Sequence, residues 1–434
     1  MKYYCIGVKG TGMSTLAQIL HDLGNTVSGY DDARGHKFTQ DGLEKRNNPI
    51  YYDNNHEIDK DTIVTYSVAF KEDHPELKRV KELGLQIKKY NEIMADIIAM
   101  FDTIGVSGTH GKTSTSSLIR HLLERTVGCN YFIGAGDGMA TKENKYFVVE
   151  SDEFNKHFKI YHPQYAIITN IEAEHLECYD GIDDIRNTFE VFANQTGKLV
   201  VVNGDNEEVR KINFTTPVKY YGFNDNNDVV IKNLALEEDG SAFDLYENNE
   251  FVGHFKINLY GKHMVMNAAA AILVVREIGL DFETINSLLP SFQNAKRRFA
   301  EQKVGETVII DDYAHHPTEI KVTLEAVKQK YPNKNLTVIF APNTYSRTKD
   351  FLEEFIDSFK IADNVFLTEI RCNREKQEDY PGITSHLITE RLENAEIISN
   401  EDMFKVASGS NEVVCFMGCA HIDDLIEAYK NINM

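Results

Sequence analysis

The sequence predicts an α/β protein of three domains. Three observations carry that prediction. Apolar runs of strand length alternate with segments of helical spacing along the chain. Two strand-to-helix turns, at 7–12 and 108–111, are rich in glycine. The 434 residues are too many for one hydrophobic core.

The elements come in order. Residues 3–8 read as a buried strand running into Gly7, Gly10 and Gly12. A helix comes next, with Met13, Leu16, Leu20 and Leu23 on its apolar face. Gly24-Asn25 ends that helix, and Val27 to Tyr30 reads as the next strand, so the chain opens with a βαβ unit. Thr62 to Tyr66 is strand-like and Pro75 to Leu83 helical, and a first boundary falls near residue 100. Thr103 to Val106 is the strand before the second glycine turn, with Leu118, Ile119, Leu122 and Leu123 marking the helix after it. Tyr146 to Val149, Tyr165 to Thr169 and Lys198 to Val202 are further strands. A β-rich stretch spans Val218 to Leu259, and an alanine-rich helix covers Asn267 to Val275. A second boundary falls within 290–297. Beyond it, Thr307 to Ile310, Leu336 to Phe340, Asn364 to Leu367 and Val413 to Met417 read as strands, and Thr318 to Lys330 and Lys349 to Phe359 as helices.

Composition narrows the function classes. Hydrophobic content of 42% and charged content of 26% are those of an ordinary globular protein. Lys and Arg number 46 against 67 Asp and Glu, a formal charge of −21, which disfavours nucleic acid or an anionic membrane as partner. Anionic small ligands are still allowed, because local loops and metal ions offset the global field. The six cysteines form no C-x-x-C pair, and Cys415 and Cys419 lack zinc-site neighbours, so reduced free thiols are expected. Met1 to Ile6 enters a strand without a signal-peptide layout, and no apolar run approaches the ~18 residues of a membrane span. A cytoplasmic protein, monomeric or weakly dimeric, is expected.

Gly108-Thr109-His110-Gly111-Lys112-Thr113 carries the strongest chemical signal. Strand, glycine turn, lysine, hydroxyl residue and helix form the arrangement that cradles a nucleoside triphosphate. Backbone N–H groups and the helix N-terminus meet the phosphates, the lysine neutralises them and the hydroxyl reaches Mg²⁺. The match is incomplete, since the usual first glycine is Val106. Gly7 to Gly12 has the spacing G-x-x-G-x-G, with Asp31 19 residues after Gly12. That pattern fits a nucleotide or sugar-nucleotide site, with a packing turn as the alternative. Glu150 to Glu153 comes directly after a strand and suits a hard cation, with an acidic loop facing solvent as the alternative. His175 ends Asn170 to His175 after the next strand, with a structural role equally open. Arg298 is placed to clamp a phosphate, Asp312 to accept from a ribose hydroxyl and Arg347 to hold a carboxylate, each against a reading as surface charge.

Together these segments resemble the Mur ligase family over the whole chain. The marks run from Gly7 to Ser14 and Ser28 to Asp31, through Gly108 to Thr113, Glu150 to Glu153 and Thr169 to His175. Gly261-Lys262-His263 with Asn267-Ala268, Arg297 to Phe299, Asp311 to Glu319 and Thr344 to Thr348 complete them. Gly12-Met13-Ser14 and Asp311 to Pro317 are the most specific. The resemblance implies a Rossmann-like UDP-binding domain (1–100), a central P-loop ATPase-like α/β domain (101–293) and a Rossmann-like C-terminal domain (294–434). It implies an ATP- and Mg²⁺-dependent ligase that joins L-alanine to the carboxylate of UDP-N-acetylmuramate through an acyl phosphate, for peptidoglycan precursors. By the family pattern, Gly10, Thr11, Gly12, Met13, Ser14 and Asp31 meet the UDP-sugar. Gly108, Thr109, His110, Gly111, Lys112 and Thr113 hold the phosphates, with Asn267 on adenine, Arg298 on a phosphate and Asp312 on ribose. Thr113, Glu150 and His175 ligate Mg²⁺, while Tyr313, His315 and Arg347 surround the amino acid.

Two positions depart from the family. Asn343 stands where a histidine is usual, and Met417-Gly418-Cys419-Ala420-His421 replaces Met-Gly-Ala-Gly-Asp. Both leave the acceptor amino acid open. A murein-peptide ligase on the same sugar nucleotide and a non-catalytic nucleotide-binding regulator are the alternatives. An NAD(P)-dependent oxidoreductase rests on the first glycines alone and leaves the phosphate loop unexplained.

Overall fold

The computed structural model describes residues 1–434 except 135, 176, 373, 374, 408, 410, 411, 420 and 434. Among these residues the strands form three sheets of five, ten and six strands. By compactness the chain divides into two units. The first holds Met1–Lys232, Asp244–His254 and Met266–Leu289, and the second Asn233–Phe243, Phe255–Val265 and Pro290–Met434.

The five-stranded sheet is parallel, in the order Ile50–Tyr51, Thr26–Tyr30, Lys2–Ile6, Thr62–Tyr66 and Gln86–Ile87. Its first strand ends at Ile6, two residues before the expected end, because Gly7 turns with φ +79°. The N–H groups of Gly7 and Val8 both bond the Tyr30 carbonyl, at 2.7 and 3.1 Å. A side chain at Gly7 would meet Phe70 at 2.7 Å and Ser67 at 2.9 Å, so only glycine fits that corner.

The ten-stranded sheet places Asp102–Ser107 between Tyr165–Ile168 and Tyr146–Glu150, all parallel. Tyr165–Ile168 is buried throughout, as expected of a parallel sheet covered on both faces. Gly181–Asn194, a helix the strand-centred reading passed over, buries Ile185, Phe189 and Phe192. Phe158 packs on those two rings at 5.0 and 4.9 Å between centroids. Each such ring contributes ~2 kcal/mol of burial.

The first two sheets share one apolar core within the first unit, running from Leu16, Ile19 and Leu20 to Phe132, Phe147 and Val149. A polar strap reinforces it. Arg46 grips both oxygens of Asp22 at 2.7 and 2.8 Å and donates to the Gly138 carbonyl at 3.0 Å. Two parallel charge-assisted bonds fix direction as well as distance.

The six-stranded sheet runs Ala300–Val304, Thr307–Asp312, Val413–Met417, Leu336–Phe340, Asn364–Leu367 and Ala395–Ile397, with only the first strand antiparallel. The helix expected over 349–359 is divided. Phe351 leaves helical geometry (φ −123°, ψ 30°), so Tyr345–Asp350 and Leu352–Phe359 are separate helices. The alanine-rich helix is longer than its apolar run, covering Lys262–Ile278. No helix among the described residues is long and apolar enough to cross a membrane. Ala420, part of the atypical C-terminal motif, lies outside the described residues.

Tyr221 is fully buried, and its hydroxyl has no hydrogen-bond partner among the described residues. Tyr221→Phe is therefore expected to raise unfolding stability by ~1 kcal/mol, because an unsatisfied buried hydroxyl is removed at almost constant volume. Urea unfolding checks this, and a loss of about 1 kcal/mol or more would mean the hydroxyl is satisfied.

Candidate active site

The phosphate loop joins Asp102–Ser107 to the helix Lys112–Glu124. Gly108 (φ +138°) and Gly111 (φ +87°) both lie in the left-handed region. A Cβ on Gly108 would stand 2.0 Å from Thr169 Oγ1, and one on Gly111 2.7 Å from Asn267 Oδ1. Glycine is thus imposed by conformation and by close approach. The structure therefore sets Asn267 against the phosphate loop.

The segment after strand Tyr165–Ile168 clamps this loop. Thr109 N–H donates to the Asn170 carbonyl at 3.0 Å, and His110 N–H donates to Asn170 Oδ1 at 2.9 Å. Asn170 Nδ2 returns to the His110 carbonyl at 3.0 Å, which also accepts from Thr169 Oγ1 at 2.6 Å. Glu172 N–H closes the set on Thr109 Oγ1 at 2.9 Å. The sequence marked 169–175 for its acidic residues and His175. It assigned nothing to Thr169 or Asn170, because pairing between two loops leaves no periodic signal.

Lys112 Nζ donates to the Gly108 carbonyl at 2.5 Å, to the Thr109 carbonyl at 3.0 Å and to Glu153 at 2.9–3.0 Å. Glu153, with only 4% of its side chain exposed, is the partner sequence reasoning missed within its own acidic cluster. Its main-chain carbonyl also accepts from the Tyr179 hydroxyl. His175 (φ +56°) stands 3.9 Å from Glu153 and 3.6 Å from Glu177, edge-on to Phe154. Glu150 pairs in register with Val106 on the neighbouring strand, and its Oε2 would stand 2.5 Å from a Cβ on Gly134. Thr113 comes after Lys112 in the first helical turn. The three expected metal ligands thus lie at, or just beyond, the carboxyl ends of three adjacent parallel strands, the edge where such sheets bind ligands.

The electrostatics point the same way. Burial alone would lower the Lys112 ammonium, but Glu153, Asp152 and Glu174 outweigh it and hold it above its ordinary value. Burial opposes protonation of His175 too, and Glu177, Glu174, Glu153 and Asp152 reverse that. Burial raises Glu153, with Asp152 adding to the effect and Lys112 opposing it. All three favour their protonated forms, Lys112 and His175 because carboxylates surround them and Glu153 because it is buried. A hard divalent cation among oxygen ligands fits that surplus of negative charge.

The first glycine turn, also in the first unit, begins the helix Thr11–Asp22 with Gly10 as N-cap and no side-chain cap. Unoccupied first-turn N–H groups of this kind suit a phosphate. Met13 and Ser14 are buried, and Ser14 Oγ donates to the Thr39 carbonyl at 2.7 Å. Thr11 approaches Gly136. Asp31 shapes the turn, its oxygens accepting from Lys9 N–H at 2.9 Å and Ala33 N–H at 3.0 Å.

The second unit gathers the remaining residues around its own strand ends. Asp312 accepts from Phe299 N–H at 2.7 Å and Ala314 N–H at 2.8 Å, so this carboxylate also organises backbone. Arg297 and Phe299 take φ of +58° and +52° on either side of Arg298, whose guanidinium lies 4.9 Å over the Tyr313 ring. His315 Nδ1 lies 3.1 Å from the Tyr313 carbonyl and 3.0 Å from Glu319. Arg347 donates to Asn343 Oδ1 at 2.9 Å, so the atypical asparagine contacts the residue expected on the amino-acid carboxylate. Glu375, absent from the sequence reading, accepts from the N–H groups of Tyr345 and Ser346 at 2.6 and 3.2 Å.

Comparison with known proteins bears on all of this. Residues 2–102 match the model for the Mur ligase family catalytic domain, 106–275 the Mur ligase middle domain and 297–420 the Mur ligase glutamate ligase domain. The chain belongs to the Mur ligase family. It is accordingly an ATP-dependent ligase, with the three-domain layout of that family. It is 41% identical over 431 residues to the UDP-N-acetylmuramate–L-alanine ligase of Lacticaseibacillus paracasei, covering 99% of this chain and 98% of that one. The UDP-N-acetylmuramate–alanine ligase of Thermotoga maritima superposes with a TM-score of 0.84 at 25% identity, covering 100% and 99% of the two chains. The murein peptide ligase of Psychrobacter arcticus shares the fold at 0.70 and 21% identity, covering 99% of each.

His263 supplies a pH test. Burial pushes its imidazole down to about 4, Glu319 opposing, and its Nδ1 has no hydrogen-bond partner among the described residues. A depressed histidine leaves the unfolded chain binding the proton first, so stability falls as pH drops from ~6.5 towards 4. His263→Gln is expected to flatten that part of the curve of thermal midpoint against pH; an unchanged slope would place the titration elsewhere.

Proposed function

We propose that this protein uses ATP to join L-alanine to the carboxylate of UDP-N-acetylmuramate, in the cytoplasm, as a step of peptidoglycan precursor synthesis. The observation that carries the reading is the clamped phosphate loop with its surplus of carboxylates, in a chain 41% identical end to end to a relative named for that reaction. The domains fall at 1–100, 101–293 and 294–434 in this reading.

The chemistry is dictated by the acid. A free carboxylate does not yield to an amine, because oxide would have to leave. Phosphorylation by ATP gives an acyl phosphate, the neutral amine adds to its carbonyl carbon, and phosphate departs as the tetrahedral adduct collapses. The protein's share is positioning and charge neutralisation. The amides of Gly111, Lys112 and Thr113, at the start of the helix, would cradle the phosphates, while those of Thr109 and His110 hold the loop on Asn170. Lys112 exchanges its loop carbonyls for phosphate oxygens while Glu153 keeps it protonated. Thr113, Glu150 and His175 would hold Mg²⁺, which would add neutralising charge. Thr11 and Gly12 receive the diphosphate on backbone N–H groups, with Gly10 as the N-cap holding the turn through its own N–H on the Gly7 carbonyl, Met13 and Ser14 packing behind and Asp31 fixing the shape. Asn267 meets the adenosine end, Arg298 a phosphate and Asp312 the ribose. Tyr313, His315 and Arg347 take the amino acid, with Arg347 on its carboxylate.

The test is phosphate release with ATP, UDP-N-acetylmuramate and a panel of L-alanine, glycine and L-serine. L-Alanine is expected to give the highest kcat/KM, and release with none of the three would end the reading. Lys112→Ala is expected to abolish release while UDP-N-acetylmuramate binding stays within about twofold, since the lysine acts on the transferred phosphoryl. Turnover at the wild-type rate would remove it from the site. Arg347→Ala is expected to raise the KM for L-alanine about tenfold through loss of a charge-assisted bond. An unchanged value would take Arg347 out of the acceptor pocket.

A further inference from the structure

Tyr90 opens the helix Tyr90–Ile98, one of the elements joining the first two sheets in the first unit. Its partly buried ring packs against the shared core, edge-on to Phe132 with centroids 6.4 Å apart. Its hydroxyl behaves differently from the ring. Among the described residues it has no hydrogen-bond partner, and it points to Gly12, whose added Cβ would lie 3.3 Å away. Gly12 is in the uncapped first turn of the helix assigned above to the diphosphate.

The other side of Tyr90 faces the acidic strand end. Burial, joined by the charges of Tyr161, Asp152 and Glu150, pushes the phenol well above its ordinary range, so it is a neutral donor at any working pH. His157 lies beside it, ring centroids 5.9 Å apart, also without a hydrogen-bond partner among the described residues. Burial lowers its imidazole, with Asp152 opposing. Two polar side chains thus lie beside the first glycine turn and within the field of Asp152 and Glu150 at the strand end. If Tyr90 served packing alone, phenylalanine would suffice.

A sugar bearing a carboxylic acid and linked to a diphosphate must cross this interval. We propose that Tyr90, flanked by His157, is a specificity residue that donates its hydroxyl proton to the acid-bearing sugar of the sugar nucleotide, between its diphosphate and its reacting carboxylate. The inference rests on the substrate class proposed above. It adds a recognition point for the sugar itself, distinct from those for UDP and for ATP.

The experiment compares affinities for UDP and for UDP-N-acetylmuramate in wild type and Tyr90→Phe, by titration calorimetry on the full chain. Tyr90→Phe removes one oxygen and leaves the ring in the core. The expected result is an about five- to tenfold weaker UDP-N-acetylmuramate affinity, the scale of one hydrogen bond, with the UDP affinity unchanged. The KM for ATP should also stay within about twofold. His157→Gln is expected to shift the same ratio by a smaller factor in the same direction. Equal affinities of wild type and Tyr90→Phe for UDP-N-acetylmuramate would overturn the assignment while leaving the ligase reading intact. Equal loss for UDP and the sugar nucleotide would show a structural role and overturn it too. Wild type that binds UDP-N-acetylmuramate no better than UDP would end both readings.

Discussion

The architecture of the site depends on the grip of one loop on another. Gly108 lies so close to Thr169 that no side chain fits, and Asn170 uses its main chain and both ends of its amide to hold Thr109 and His110. The phosphate loop therefore has its shape before any ligand arrives. Its carbonyls are turned towards Lys112, Thr169 and Asn170, and the amides of Thr109 and His110 are spent on Asn170, so the amide hydrogens offered to anionic oxygens are those at the start of the helix. Preorganised dipoles of this kind need no reorganisation at the moment of reaction, and that is the source of their strength. The lysine depends on the same grip, since its ammonium rests on the carbonyls of the loop it belongs to.

The two outer glycine- or arginine-bearing turns use a different device with one theme. Asp31 and Asp312 each stand at the end of a parallel strand, each is largely buried, and each spends its oxygens on main-chain amides. A buried carboxylate serving backbone donors is stable because those bonds replace water. Such a residue looks from sequence like a ribose ligand, and in structure it is first the fixture that makes the turn. The Asn343–Arg347 contact shows the same economy in the second unit, where a neutral amide steadies a guanidinium without neutralising it.

Much of this was legible in the chain. The strand Thr62–Tyr66 and the strand Asn364–Leu367 stand where the apolar runs put them, because short buried parallel strands are continuous apolar segments. Lys112 and Thr113 were visible as a local motif. The misses have a common cause. Thr169, Asn170, Glu153 and Glu375 act across loops far apart in sequence, and no spacing rule reports such partners. The helix Gly181–Asn194 was available from Ile185, Phe189 and Phe192, but the stronger signal of the strand ends obscured it. The break at Phe351 left no trace, since the residues on both sides keep helical composition.

The strap from Arg46 to Asp22 and the Gly138 carbonyl has a consequence for the spacing of the two glycine turns. It ties the helix behind the first glycine turn to the sheet that carries the phosphate loop, within one compact unit. The span between the two glycine turns is thereby set by the scaffold. Such a scaffold is a ruler, holding the two glycine turns at a distance set by packed side chains and one bidentate ion pair.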